Sequence, residues 1–388
     1  MLYFLTITAV LFILYITALS NFLLFPRVKA IPNRQIQSPV KWVSILIPAR
    51  NEEEVIEKTL TRLQNQTYPH FECLVLNDNS EDKTAELVQA IATQDERFQL
   101  IQGKPLAAGW LGKNWACHQL SEQAAHEQLL FCDADVQWEP RALERLMAQF
   151  SHRNADCMTV WPSQITVSWG ERLIVPLMKF TILAYLPIIG VHYLPFSIFA
   201  AANGQCLLFK KEAYTSISGH VAVRQAIVED VELARNIKQN GYRLRMIDGN
   251  REISCRMYSS WEAVLNGFGK NILAGHGNSL PFLAVSTLFH WAVFVVPWIW
   301  LILGGLLPNF IWLYPLTLIS AAVGLRIFVE LFVRADQPAG MFNALLMPLS
   351  VLLMTRIAWR GCIWYFSGGP EWKGRKLGAQ LASEKSNG

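Results

Sequence analysis

The stretch LLFCDADVQWEP (129–140) ends an apolar run in two carboxylates one residue apart, Asp133 and Asp135. Facing one cavity, such a pair could hold Mg2+ or Mn2+, hard cations that take few protein carboxylates and complete their shells with water and phosphate oxygens. The same pair could simply cap a helix beginning near Glu139-Pro140. Asp78 follows a second apolar run in LVLNDNS, where it could accept hydrogen bonds from a base or ribose, or close the strand as an Asx-turn. The loop GKPLAAGWLGKNW (103–115) brings three glycines and two lysines up to a helix start. Backbone amides with a lysine suit a diphosphate, although GxxxxGK[ST] is absent and a solvated loop reads equally well. In VRQAIVEDVELARNIKQNGYRLR (223–245), Glu229 and Asp230 open a helix that closes at Asn240-Gly241. The helix dipole accounts for acids there; as a general base, Asp230 could take a proton from an acceptor hydroxyl. Finally, PEWKGRKL (370–377) sets Arg375 either at lipid headgroups or folded back onto phosphate.

Something must hold these groups together. VSILIP (43–48) reads as a strand, and Glu52, Glu53 and Glu54 load the first turn of a helix whose Ile56, Leu60 and Leu63 share a face. CLVLND (73–78), FQLI (98–101) and LLFC (129–132) read as further strands, with helices over 83–92 and near 113–125. NGQCLLFKKEAY (203–214) reads as a strand leading into a helix, with Gly204-Gln205 able to approach a ligand closely. Strands alternating with helices imply an α/β fold with a mainly parallel sheet. In such sheets ligands sit beyond the carboxyl ends of the strands, where Arg50, Asp78 and Asp133 fall.

The remaining chain points to a membrane. Charged residues are only 16%, against about 25% in ordinary soluble domains. Residues 1–25 carry no charge and are followed by Arg27, Lys29, Arg34 and Lys41, which reads as an uncleaved anchor with the next domain in the cytoplasm. Residues 281–307 form an apolar run of spanning length; 311–333 contain Arg326 and Glu330 at i,i+4, able to pair; 341–366 are interrupted by Arg356 and Arg360. If all three cross, the tail ends opposite the catalytic domain; a last segment that re-enters or lies at the interface keeps it cytoplasmic. FTILAYLPIIGV (180–191) is too short to cross and reads as interfacial, or else as a core helix. The seven cysteines form no CxxC pair, which argues against zinc and for a reduced compartment. The net charge of +4 is scattered, with no basic run interleaved with aromatics, which argues against nucleic acid.

In order, SILIPARNEE, LVLNDNSEDKT, FCDAD and IVEDVELARNIKQNGY resemble the family 2 glycosyltransferases with the GT-A fold, over roughly 41–275. GWLGKNWACHQL and WKGR resemble the membrane-bound branch with carotenoid and hopanoid-associated enzymes, and more distantly ceramide glucosyltransferases. The resemblance implies that Pro48, Ala49, Arg50 and Glu52 line the nucleotide pocket, with Asp78 beside uracil or ribose and Lys113 near the phosphates. It makes Asp133 and Asp135 the DxD pair that meets the nucleotide sugar through a divalent metal, and Asp230, beside Glu229, the catalytic base. The QxxRW motif of processive synthases is missing; RMYSSWEAVLNGFGKN (256–271) stands instead, which argues against polymer synthesis.

The expected organisation is an anchor over 1–26, a GT-A domain over 41–275 with an interfacial segment about 172–196, a membrane region over 279–366 of two to three helices, and a tail over 367–388. The expected reaction is inverting transfer of one sugar from a nucleotide-diphosphate sugar, a UDP-sugar favoured, to a membrane-embedded lipid alcohol, a carotenoid or other terpenoid favoured. Ceramide, glycerolipid or polyprenyl phosphate acceptors are the alternatives within the enzyme class. A non-catalytic membrane scaffold is the alternative outside it.

Overall fold

The computed structural model describes residues 1–30, 41–333, 340–367, 369, 371–372 and 375–376. In chain order, helix α1 (Leu2–Leu24) precedes strand β1 (Val43–Ala49), α2 (Ile56–Gln64), β2 (Phe71–Asn77), α3 (Thr84–Gln94) and β3 (Phe98–Gln102). Next come α4 (Gly112–Gln123), β4 (Gln128–Cys132), β5 (Val136–Trp138), α5 (Ala142–His152), β6 (Cys157–Trp161) and β7 (Ser163–Gln164). Helices α6 (Trp169–Ile174), α7 (Pro176–Tyr185) and α8 (Ile188–Tyr193) lead to β8 (Cys206–Lys210), α9 (Lys211–Ser216), α10 (Glu229–Gln239), β9 (Leu244–Asp248) and β10 (Ile253–Cys255). The chain continues with α11 (Trp261–Gly275), α12 (Leu280–Phe294), α13 (Val296–Gly304), α14 (Leu313–Val333), α15 (Gly340–Leu345) and α16 (Met347–Phe366). Two short strands, β11 (Glu371–Trp372) and β12 (Arg375–Lys376), close it.

These elements group into two compact units. The α/β unit comprises Phe25–Ile165, Ile189–Met257 and Glu371–Gly388; the helical unit comprises Met1–Leu24, Thr166–Ile188 and Tyr258–Pro370. Residues 258–275, read from the sequence with the α/β domain, thus group with the helices, and the 172–196 stretch divides after Ile188.

In the α/β unit seven strands form one sheet in the order β3-β2-β1-β4-β8-β6-β9. β3, β2, β1 and β4 are parallel, β8 is antiparallel to both its neighbours, and β9 is parallel to β6. The central strands are buried on both faces, so they read as continuous apolar runs rather than alternating ones. On α2, Ile56, Leu60 and Leu63 are fully buried in the core with Ile45, Ile47, Val75 and Leu130. That helix starts at Ile56, so Glu52–Glu54 lie in the turn before it and not in its first turn. The reason is local. The Glu52 and Glu53 amides donate to the side chains of Thr84 (2.8 Å) and Asp82 (3.1 Å), which holds that backbone in a loop. A small sheet, β5-β10-β7, continues the chain beyond Asp135.

In the helical unit, Leu2–Leu24 and Leu313–Leu331 are long and apolar enough to cross a membrane, and α11 with α12 make a pair bent by 113°. The 281–307 run is not one helix, contrary to its length and composition. It breaks at Val295, because Pro297 in the first turn of α13 has no N–H to donate and its ring crowds the preceding turn. Arg326 and Glu330 do pair along α14, at 2.6 Å and almost wholly buried. Asn21 on α1 donates to the Leu183 and Leu186 carbonyls (2.9 and 2.8 Å) and accepts from the Ile188 amide (2.9 Å), satisfying the frayed end of α7.

Candidate active site

The carboxyl ends of β1, β2 and β4 lie side by side, and each delivers its polar residues to the same edge. Pro48 and Ala49 finish β1, where Ala49 is paired with Asn77 of β2. The Ala49 carbonyl accepts the Asp78 amide at 2.8 Å, and the Arg50 guanidinium donates to the Asp78 and Asn79 carbonyls at 2.7 and 3.0 Å. Asn51 and Asn79 both adopt left-handed backbone (φ 52° and 54°), a conformation asparagine tolerates better than most residues. The two loops then lock reciprocally: the Asn51 amide donates to Ser80 Oγ and the Glu81 amide to Asn51 Oδ1. Asp78 is buried at the junction. Gly103, at the end of β3, sits so close that a Cβ there would lie 2.9 Å from the Asn77 carbonyl oxygen.

On the other side of β1, the Asp133 amide donates to the Gln205 carbonyl at 3.1 Å as the chain leaves β4. Lys113, in the first turn of α4, reaches across to Asp133 Oδ1 at 2.8 Å and to Glu229 Oε1 at 3.1 Å. Burial opposes that ammonium's charge, but the two carboxylates outweigh it and hold the group well above the usual lysine range. Glu229, Asp230 and Glu232 all occupy the first turn of α10, whose N-cap, Val228, offers no side-chain acceptor. Asp230 Oδ2 accepts the Gly204 amide at 2.7 Å and Oδ1 the Val231 amide at 2.8 Å. A Cβ at Gly204 would sit 3.3 Å from both Lys113 Nζ and Asp230 Oδ2, so the glycine is the floor of this cluster. Burial first, then the neighbouring Glu229 charge, push the Asp230 carboxyl up to about 7, against the pull of Lys113 and the two amides.

Asp135 is held differently. The Cys255 thiol of β10 hydrogen-bonds its carboxylate, yet Oδ1 is buried without a partner. Burial, then the charges of Asp133 and Glu52, push this carboxyl up to about 7. Two like charges and an unpaired buried oxygen are what a cation would relieve. Among the described residues no group of three or more His, Cys, Asp or Glu converges as a ready cage. The arrangement therefore fits an ion that takes two carboxylates and leaves its remaining positions to water and phosphate. It does not fit a closed structural site.

Sequence reasoning brought Gly204-Gln205 close to a ligand but missed the supports that Gln205 and Asn114 build. Gln205 Nε2 donates to Cys255 Sγ (2.9 Å) and its Oε1 accepts from Gln164 (2.8 Å), tying β10 and β7 beneath the aspartates. Asn114, fully buried, turns its amide toward the Val223, Arg224 and Ala226 carbonyls at 2.8, 3.2 and 3.0 Å. The Leu111 amide adds a bond to the Arg224 carbonyl. The start of α4 is thereby clamped to the loop that enters α10, which fixes Lys113 relative to Glu229. Only the neighbouring lysine signalled Asn114 in the sequence. Arg375 lies in β12, and its side chain falls outside the described residues, as do Lys373 and Gly374.

Residues 44–215 match the sequence profile of glycosyl transferase family 2. A 4,4'-diaponeurosporenoate glycosyltransferase of Staphylococcus aureus is 26% identical over 370 residues, covering 91% of this chain and 93% of that protein. The protein of the same name from Staphylococcus haemolyticus is 25% identical over 260 residues, 65% of this chain and 66% of its own. Among solved structures, a mannosyltransferase from Pyrobaculum calidifontis, determined with GDP-Man and Mn2+, superposes with a TM-score of 0.54 at 16% identity, over 89% of this chain and 98% of that one. At that identity the likeness speaks for the fold, which is GT-A.

Proposed function

We propose that this chain, a family 2 glycosyltransferase, moves a single sugar from a nucleoside-diphosphate donor, a UDP-sugar favoured, to a membrane-embedded terpenoid lipid, a carotenoid above all. The observation that carries the reading is the junction of Lys113, Asp133 and Glu229 beside Asp230, at the strand ends where a donor's diphosphate belongs. The acceptor class rests on the relatives' name and on the two helices long and apolar enough to hold the chain in a bilayer. Arg27 and Lys29 directly after α1 favour a cytoplasmic catalytic unit.

Bond cleavage at an anomeric carbon develops oxocarbenium character on the sugar and negative charge on the departing diphosphate. Lys113 is placed to meet that charge from the start of a helix, whose free amides add to it. Asp133 and Asp135 would hold Mg2+ or Mn2+, which supplies positive charge for the leaving group. Asp133 also faces the nucleotide sugar, and Ala49, Arg50, Glu52 and Asp78 line the nucleoside side. Asp230 takes the acceptor's proton as the acceptor oxygen attacks from the opposite face, and single displacement inverts the anomeric centre.

A second reading concerns the acceptor. The relatives' name denotes a carboxylate, diaponeurosporenoate. A carboxylate acceptor has no proton to surrender, so Asp230 would then orient the acceptor and not deprotonate it. Membranes supplied with radiolabelled donor and either an alcohol or a carboxylate terpenoid separate the two. Label entering an alkali-labile glycosyl ester supports the carboxylate, and label in an alkali-stable, acid-labile O-glycoside supports the alcohol. Label in ceramide, glycerolipid or polyprenyl phosphate overturns both.

A further inference from the structure

One feature of the α/β unit lies outside the cluster of Lys113, Asp133, Asp135, Glu229 and Asp230. From the last residue of α8 toward β8 the chain reads YLPFSI (193–198), and Tyr193, Phe196 and Ile198 are exposed by 70%, 60% and 81%, with Ile189 and Leu194 also exposed. A soluble surface rarely gathers so many large apolar groups in one short segment. Nor is the segment a loose loop. The Leu194 amide bonds to the Gly190 carbonyl, the Phe199 amide to Phe196 and the Ala200 amide to Ser197, so the chain folds into a compact knuckle. Gly190 permits this, because a Cβ there would meet the Phe199 ring at 2.7 Å.

Cations hold the knuckle from behind. Lys238 Nζ donates to the carbonyls of Gly190 (3.1 Å) and Leu194, and Arg245 donates to the His192 carbonyl while its guanidinium lies 5.3 Å from the Tyr193 ring centre. Arg153 completes the group, close enough to Arg245 and Tyr193 to feel both. His192 is neutral there, pushed down to about 4 chiefly by burial, and accepts the Met246 amide. The acid facing this group, Asp156, is already engaged by Arg243 and Lys210. Capping the end of α8 accounts for where Lys238 and Arg245 point. It does not account for an excess of positive charge beside an outward apolar tip. Apolar tip and cationic base together match one environment, the boundary between anionic headgroups and acyl chains.

We propose that the Tyr193–Ile198 knuckle docks the α/β unit onto a bilayer surface rich in anionic phospholipid. The proposal rests on reading the chain as a membrane protein, and needs no assumption about the sugar or the acceptor.

The test uses the full chain in nanodiscs. A dye is placed at Ile198→Cys with Cys362→Ser, since Cys362 is the one free cysteine that is not buried. In discs of mixed phosphatidylcholine and phosphatidylglycerol, the dye is quenched by lipid-borne doxyl groups and shielded from aqueous iodide. In phosphatidylcholine alone this immersion weakens, and Arg153→Gln weakens it in the mixed discs by about fivefold in partition per charge removed. A dye at Glu86→Cys on exposed α3 stays accessible to iodide in both. A dye at Ile198→Cys open to iodide in both discs overturns the docking. Equal immersion in both discs overturns the anionic preference and with it the proposal. Failure of the membrane reading itself would show separately, as protein recovered outside the discs.

Discussion

Replacing Asp230 by asparagine separates the electrostatic cost of the proposed base from its use. Two backbone amides, from Gly204 and Val231, point at the carboxylate, and burial together with Glu229 has pushed it up to about 7. In the unfolded chain the same group ionises near 4. The sign follows from that order. The folded state binds the proton more tightly, so the favourable contribution is fully present below about pH 4 and is lost as pH rises through about 7. Above that, the ionised carboxylate costs the fold on the order of a few kcal/mol. Asp230→Asn should therefore gain melting temperature relative to the parent at pH 8 and gain much less at pH 5. The asparagine's NH2 group must then face one of these backbone N–H donors, which removes part of the gain.

Catalysis should move the other way. With an alcohol acceptor, transfer by the parent falls about tenfold per pH unit below 7, so about a tenth of the plateau remains at pH 6. Asp230→Asn should lose roughly two to four orders of magnitude and lose that acid limb. The assay is transfer of labelled sugar to lipid extract over pH 5.5–8.5, with melting curves on the same samples. A variant that keeps near-normal turnover on an alcohol, or keeps the acid limb, refutes the base. Loss of the limb without loss of rate on a carboxylate acceptor supports the second reading of the acceptor.

Lys113→Ala should leave Asp133 and Glu229 facing each other without their shared ammonium; donor KM should rise and kcat fall by about a hundredfold, read by single-turnover transfer. Asp135→Asn should abolish metal-stimulated donor hydrolysis while leaving the protein folded, and chelation should silence the parent until Mn2+ or Mg2+ is restored. Gly103→Ala should destabilise the α/β unit by about 1–3 kcal/mol, measured by urea unfolding, because its Cβ would meet the Asn77 backbone. Asn114→Ala should lower kcat more than donor affinity, since it unlatches the loop entering α10 from the helix carrying Lys113; equal loss of both would refute that coupling.

How much of this was legible depends on the range of the interaction. The strands β1, β2 and β4 were visible because a strand buried on both faces must be apolar throughout, and local composition reports that directly; β3, a half-exposed edge strand, showed only as the short run FQLI. The polar residues ending those strands were visible for the same reason: Asp78 and Asp133 interrupt apolar runs that have nowhere else to stop. The break at Val295 was available in Pro297, but overall hydropathy hid it, since a proline costs a helix its hydrogen bonds without making the segment polar. The three acids at the start of α10 were equally open to a dipole explanation, and only the arrival of Lys113 from 116 positions earlier distinguishes Glu229 from Glu232.

What holds the site in place was not legible, because its parts are ordinary residues made special by partners far along the chain. Gln164, Gln205 and Cys255 carry no motif, yet together they set the floor under Asp135. Asn114 reads in sequence as one more polar helix residue; its three carbonyl acceptors come from a loop more than a hundred residues later. The distinction has a physical basis. Groups that meet a ligand must differ chemically from their surroundings, so they stand out against an apolar background. Groups that position them need only satisfy backbone donors and acceptors, which any amide or thiol can do. The least legible positions are therefore the ones at which a conservative substitution should separate rate from stability most cleanly.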